Sequence, residues 1–250
     1  MNTAQTTTPT QITLTNEQIQ SSYEQARLLH TQKKYKESNA LLEPLLPLLK
    51  QEVLYILQAL NFLRLGEYDA SHQILTAIIK QNPNHALAYL LIGDIYLDKQ
   101  DHQKTYQYYQ HSYKLNPNTV DVHNRLVNYY SVSKDRDAIK KHALASLQID
   151  NKQAEIVKKL AYTYGLEEDY AECLKYYKLL LTFDKGEDVY HLIGLVYCNN
   201  NEYQKALEYF TASLRSFARH NHNAFLTCAY NMGFSCHKLG SYEQAKKWYS

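Results

Sequence analysis

A small or modest side chain recurs along the chain at Ala26, Ala59, Gly93, Val127, Ala161, Gly194 and Gly233. By subtraction the steps are 33, 34, 34, 34, 33 and 39 residues. A chain that repeats itself at this period folds as a row of similar units, each resting on its neighbours, and not around one central core. The residues just before these slots are Gln25, Gln58, Ile92, Leu126, Leu160, Ile193 and Met232. Those three after are Leu29, Phe62, Tyr96, Tyr130, Tyr164, Tyr197 and Cys236.

A second pattern follows in phase. Its small slot holds Ser38, Ser71, Thr105, Ala138, Cys173, Ala206 and Ala245, with Leu42, Leu75, Tyr109, His142, Tyr177, Phe210 and Tyr249 four residues later. Three residues before it stand Tyr35, Tyr68, His102, Asp135, Tyr170, Tyr203 and Tyr242. Spacings of three and four over about 13 residues describe amphipathic helices, so each unit holds two. Pro83 and Pro117 close units, because proline cannot continue a helical ladder. In the fourth unit, SVSKDRDA puts Asp135 in the place of the usual Tyr. This reading makes its turn one residue short and predicts a locally altered angle there.

The segment AYLLIGDIYLDKQDHQKTYQYYQHSYKLNPN, residues 88–118, carries nearly every slot of the pattern, and the chain resembles the tetratricopeptide repeat (TPR) family over roughly residues 17–250. The resemblance implies an all-α, right-handed superhelical solenoid of antiparallel helix pairs, with about six full repeats and a partial seventh. The units fall near 19–51, 52–85, 86–119, 120–153, 154–186, 187–225 and 226–250. Residues 1–15 read as a flexible Thr-rich tail, with Thr15 and Gln18 forming a capping box at the first helix. The sixth unit is longer, with His220, Asn221, His222 and Asn223 expected at a turn. The seventh stops at Ser250 inside its second helix, which suggests a fragment or an end covered by a partner or a second copy.

Composition removes other classes. Seven Gly and five Pro in 250 residues are too few for the many turns of an all-β fold. Against 25 Asp and Glu, 27 Lys and Arg leave a net charge of +2, with no whole-chain pull toward nucleic acid. Cys173, Cys198, Cys228 and Cys236 form no C-x-x-C pair and fit reduced thiols in the cytoplasm. The N-terminus has no apolar signal core, and no run of about 18 apolar residues spans a membrane.

The resemblance also implies where a partner would sit. First-helix residues at minus six, minus three, plus one and plus four from the small slot face the concave side. Units two and three offer Val53, Ile56, Leu60, Leu63, Leu87, Leu90, Asp94 and Leu97, seven of eight aliphatic. An apolar stripe on such a face points to an apolar or amphipathic peptide. Asn124, Asn128, Lys158 and His191 would set its register, with Tyr162 as a further groove position. The Lys and Asn constellation with which some TPR proteins clamp chaperone tails is absent: unit one offers Tyr23 and Arg27 there.

Catalytic and cofactor patterns are not found. His191 and Cys198 lie about 10 Å apart along a helix, too far for a nucleophile pair. His220, His222 and Cys228 supply at most three metal ligands, and no phosphate-binding or nucleophile-elbow motif occurs. The expectation is therefore a non-catalytic scaffold or adaptor without cofactor or metal, holding a protein or peptide and no nucleic acid. The alternatives are the substrate-docking arm of a larger enzyme, such as a glycosyltransferase, and a self-assembling structural protein that joins copies through its C-terminal end.

Overall fold

The computed structural model describes residues 15–49, 51–184, 186–217 and 222–250. Residues 1–14, most of the expected tail, lie outside the described residues, as do His220 and Asn221. The described residues form helices and no strands. They are α1 (Asn16–Thr31), α2 (Tyr35–Leu42), α3 (Leu46–Leu49), α4 (Glu52–Leu65), α5 (Tyr68–Gln81), α6 (Ala86–Asp98), α7 (His102–Leu115), α8 (Val120–Ser133), α9 (Arg136–Ile149), α10 (Ala154–Leu166), α11 (Tyr170–Leu181), α12 (Glu187–Asn199), α13 (Tyr203–Phe217), α14 (His222–Lys238) and α15 (Tyr242–Tyr249). Apart from the short α3, they pack as seven consecutive pairs, each pair's second helix contacting the next pair's first within a body. The chain divides into two compact bodies, Met1–Asn116 and Pro117–Ser250.

What the pairs share is their turn; their helix starts differ. Thr15 Oγ1 accepts from the Gln18 amide at 3.2 Å while the Gln18 side chain accepts from the Thr15 amide at 2.9 Å, closing the expected capping box. Between paired helices one residue turns left-handed: Lys33, Gly66, Gln100, Lys134, Glu168, Asn201 and Gly240. Each lies seven residues after its small slot, 33 from 26 and 134 from 127 alike. Asp101, Asp135 and Asp169 then cap the second helix through the amides of Lys104, Ala138 and Glu172.

That frame corrects the reading of the fourth repeat. Its turn is not short. Asp135 is the cap, Arg136 takes the place of the usual Tyr, and the buried small-slot equivalent is Ile139, not Ala138. The partner of Val127 is then Ala143. Size complementarity across each pair explains why: a Cβ on Gly93, Gly194 or Gly233 would come within 2.5 Å of the rings of Tyr109, Phe210 and Tyr249. Where the first helix is stripped to glycine, the second supplies a ring. Where it carries Val127, the second shrinks to Ala143.

Helix α1 starts at Asn16 and α14 at His222, so His222 and Asn223, expected at a turn, open a helix. The longer sixth connection is taken up by α13, 15 residues, and α14, 17 residues.

Candidate functional site

In the N-terminal body the first helices α1, α4 and α6 touch in succession, so they form one layer. The eight predicted groove positions of α4 and α6 do not share one environment. Ile56 and Leu63 belong to the core cluster with Ala59, Leu75, Leu91 and Ile95. Leu90 is 2% exposed. These three therefore do not line an open groove, and the apolar stripe largely joins one first helix to the next. Val53 at 46% and Leu87 at 38% remain exposed at equivalent places on successive helices. Leu60, Leu97 and Asp94 are half-buried, and Asp94 accepts from the Tyr109 hydroxyl at 2.7 Å.

The predicted polar residues are engaged by their own chain. Asn124 donates to Gln153 at 2.7 Å and accepts from the Ser146 hydroxyl at 2.6 Å. Asn128 accepts from Lys159 at 2.8 Å, and Lys158 pairs with Asp188 at 2.9 Å. The hydrogen bond to Asp188 holds the Lys158 ammonium above its ordinary pKa. Asn124 ties α8 to its own partner α9 and to the N-cap of α10, while Asn128–Lys159 and Lys158–Asp188 link neighbouring pairs, α8 to α10 and α10 to α12. His191 is half-buried against the Phe210 ring, and burial lowers its pKa. Tyr162 alone of this set is largely exposed, at 59%.

The thiols are packing groups. All four are buried. Burial raises Cys173 and Cys228 to about 11 and pushes Cys198 and Cys236 up as well. Such thiols stay protonated near neutral pH and make poor nucleophiles. Among the described residues no group of three His, Cys, Asp or Glu could hold a metal ion, and no helix is long and apolar enough to cross a membrane.

One regular feature was missed in the sequence. In four successive repeats the ring three residues after the small slot faces a ring fifteen after it: Tyr96 with Tyr108, Tyr130 with His142, Tyr164 with Tyr176, and Tyr197 with Tyr209. Centroids are 5.4 to 5.8 Å apart. Three of the four are Tyr–Tyr pairs, which places part of the unusual count of 24 Tyr. The signal stands in the sequence as Tyr recurring fifteen residues after the slot, at Tyr108, Tyr176 and Tyr209, as well as three after it.

The tetratricopeptide repeat pattern matches residues 56–118 and, separately, 187–219. Residues 56–118 and 187–219 are therefore tetratricopeptide repeats. The chain's all-α architecture of packed helix pairs is that of solved TPR solenoids. The C-terminal part of a TPR repeat-containing protein from Cytophaga hutchinsonii aligns with a TM-score of 0.72 at 12% identity, over 90% of this chain and 92% of that one. Pseudomonas aeruginosa PilF aligns at 0.67 and 14%, over 84% and 96%. YrrB, described as a TPR protein with an unusual peptide-binding site, aligns at 0.61 and 16%, over 70% and 88%. No curated protein matches the chain in sequence.

Proposed function

We propose that this protein is a non-catalytic scaffold or adaptor that holds an apolar or amphipathic segment of a partner protein against its first-helix layer. The observation that carries the reading is the exposure of Val53 and Leu87 at the same repeat position, six residues before Ala59 and Gly93. Half-buried Leu60 lies two turns further along the face of Val53, and half-buried Asp94 takes the equivalent place after Leu87. Apolar side chains repeated in register offer successive anchors to a segment crossing the helices. Because Asn124, Asn128 and Lys158 are held by neighbouring repeats, specificity here rests on apolar fit more than on free amides. Peptide binding by the similar YrrB agrees with this reading. Four buried free thiols suit a reducing compartment such as the cytoplasm.

The test is selection of peptides from a displayed library on the full chain, followed by affinity measurements on Val53→Asp/Leu87→Asp. Both sites are exposed, so the helical circular dichroism should not change. The expected outcome is a loss of at least about tenfold in affinity, as for two anchors at roughly 1 kcal/mol each. A selected peptide that binds the double variant equally well refutes the site. Failure of the full chain to select any peptide refutes the reading itself.

A further inference from the structure

The aromatic pairs differ in one respect that the scaffold reading does not use. Tyr164 has the ammonium of Lys140, on the preceding second helix α9, 5.8 Å from its ring centre. Tyr197 has two: Lys205 of its own pair at 5.5 Å and Lys178 of the preceding α11 at 5.8 Å. Tyr96 has Lys104 of its own pair at 4.8 Å, the equivalent of Lys205. The preceding helix α5, however, carries His72 at the place of Lys140 and Thr76 at the place of Lys178. His72 stands edge-on to Tyr96, with centroids 6.0 Å apart, and its Nε2 is buried without a hydrogen-bond partner. Burial and nearby Lys99 lower its pKa, so it brings no ammonium charge near neutral pH.

Beside the same Tyr96 ring, on the side formed by α6 and α7, the surface opens into a cleft of about 260 Å³ lined by Tyr89, Tyr96, Lys104, Gln107, Tyr108 and His111. The rings form a continuous wall: Tyr96 stacks on Tyr108 at 5.4 Å, and Tyr89 lies 6.3 Å from Tyr108 and 4.1 Å from His111. Ring faces attract an ammonium group, and more strongly as it is desolvated.

We infer that the cleft beside Tyr96 and Tyr108 is a seat for an alkylammonium group, taking a lysine side chain from a partner polypeptide where later repeats use a lysine of their own. The occupant follows from the chain itself, because the preceding-helix cation at both Tyr164 and Tyr197 is a lysine. The charge of Lys104 does not bar a second ammonium, since Tyr197 has Lys205 and Lys178 together. The seat is formed by α6 and α7 rings and shares no residue with the proposed anchors Val53 and Leu87, so the two readings stand or fall separately.

The experiment titrates the full chain, labelled with 3-fluorotyrosine, with Nα-acetyl-lysine amide and with uncharged Nα-acetyl-norleucine amide. Fluorine resonances of Tyr96 and Tyr108 are assigned by Tyr→Phe substitution. Expected is a saturable millimolar shift of both with the lysine probe and at least about fivefold weaker binding of the norleucine probe, as a modest cation–π gain requires. His72→Lys should supply the missing lysine and abolish the shift, and Tyr96→Leu should weaken it. If Tyr96→Leu does not fold, the variant on α5 decides. No saturable shift, equal binding of the uncharged probe, or undiminished binding by a folded His72→Lys overturns the inference.

Discussion

Repeats three and four share one frame and fill it in opposite ways. In the third, Gly93 leaves a hollow on the first helix and the fully buried Tyr109 ring occupies it. In the fourth, Val127 projects from the first helix and Ala143 withdraws on the second. The rings flanking the contact differ too: Tyr89 and Tyr108 in the third repeat are replaced by His123 and His142 in the fourth. What the two repeats share is a filled crossing and the position of the turn. The identity of the small residue is free to move between helices, because close packing penalises voids and overlaps alike.

The sharpest way to break this comparison is to give the third repeat the first-helix residue of the fourth. Gly93→Val places a Cβ 2.5 Å from the Tyr109 ring and adds two methyl groups beyond it. The expected loss is about 3 kcal/mol in urea unfolding, the upper range of overpacking costs. Tyr109→Ala alone should cost a similar amount or more by leaving a cavity and removing the hydroxyl that donates to Asp94. If the two positions compensate as they do in repeat four, Gly93→Val/Tyr109→Ala will lose at least about 1 kcal/mol less than the two singles together. Strict additivity would show that the size exchange between repeats is coincidental.

This comparison also marks how far the sequence could be read. The helix pairs were legible because three- and four-residue spacings recur in phase, and Gly93, Gly194 and Gly233 show directly where rings must enter. The fourth repeat misled because Ala138 is a small residue one place from the true slot, Ile139. Residue size gave one alignment, and the left-handed Lys134 followed by the Asp135 cap gave the correct one. The groove was less legible still. Aliphatic residues at Ile56, Leu63 and Leu90 satisfy the pattern of a binding face and that of a contact between adjacent helices equally well. Only the packing of α4 and α6 separates them, and it leaves Val53 and Leu87 outside.

The histidines of repeat four give a second, intermediate contrast. His123 and His142 are buried with their Nδ1 atoms 3.0 Å apart, one donating and the other accepting, and Tyr130 stacks on His142. Burial, His123 and Lys141 lower His142 to about 4; burial chiefly lowers His123 too. With folded pKa values below the unfolded value of 6.5, the stabilising difference is fully present above pH 6.5. Below it the unfolded chain binds protons that the folded pair refuses, so stability falls as pH drops from 6.5 toward 4. The expected loss over that window is roughly 1–3 kcal/mol. His142→Tyr, which restores the ring found in repeats three, five and six, should make the urea midpoint less dependent on pH in that window. An unchanged slope would remove the pair as its source.

The smallest effect tests the turn that sets the frame. Gly66 and Gly240 adopt φ of 77° and 75° without strain, whereas Lys134 holds 59° with a full side chain. Its amide still closes α8 by donating to the Tyr130 carbonyl. Lys134→Gly relieves the left-handed strain, while the greater freedom of glycine in the unfolded chain offsets part of that gain. A net stabilisation of a few tenths to about 1 kcal/mol is expected. Gly66→Ala should lose about 1 kcal/mol, because nothing lies within 4 Å of the added Cβ and only the backbone conformation resists it. If instead both substitutions are neutral, the left-handed residue follows from helix packing and does not direct it. The alignment of repeat four would then rest on the Asp135 cap alone.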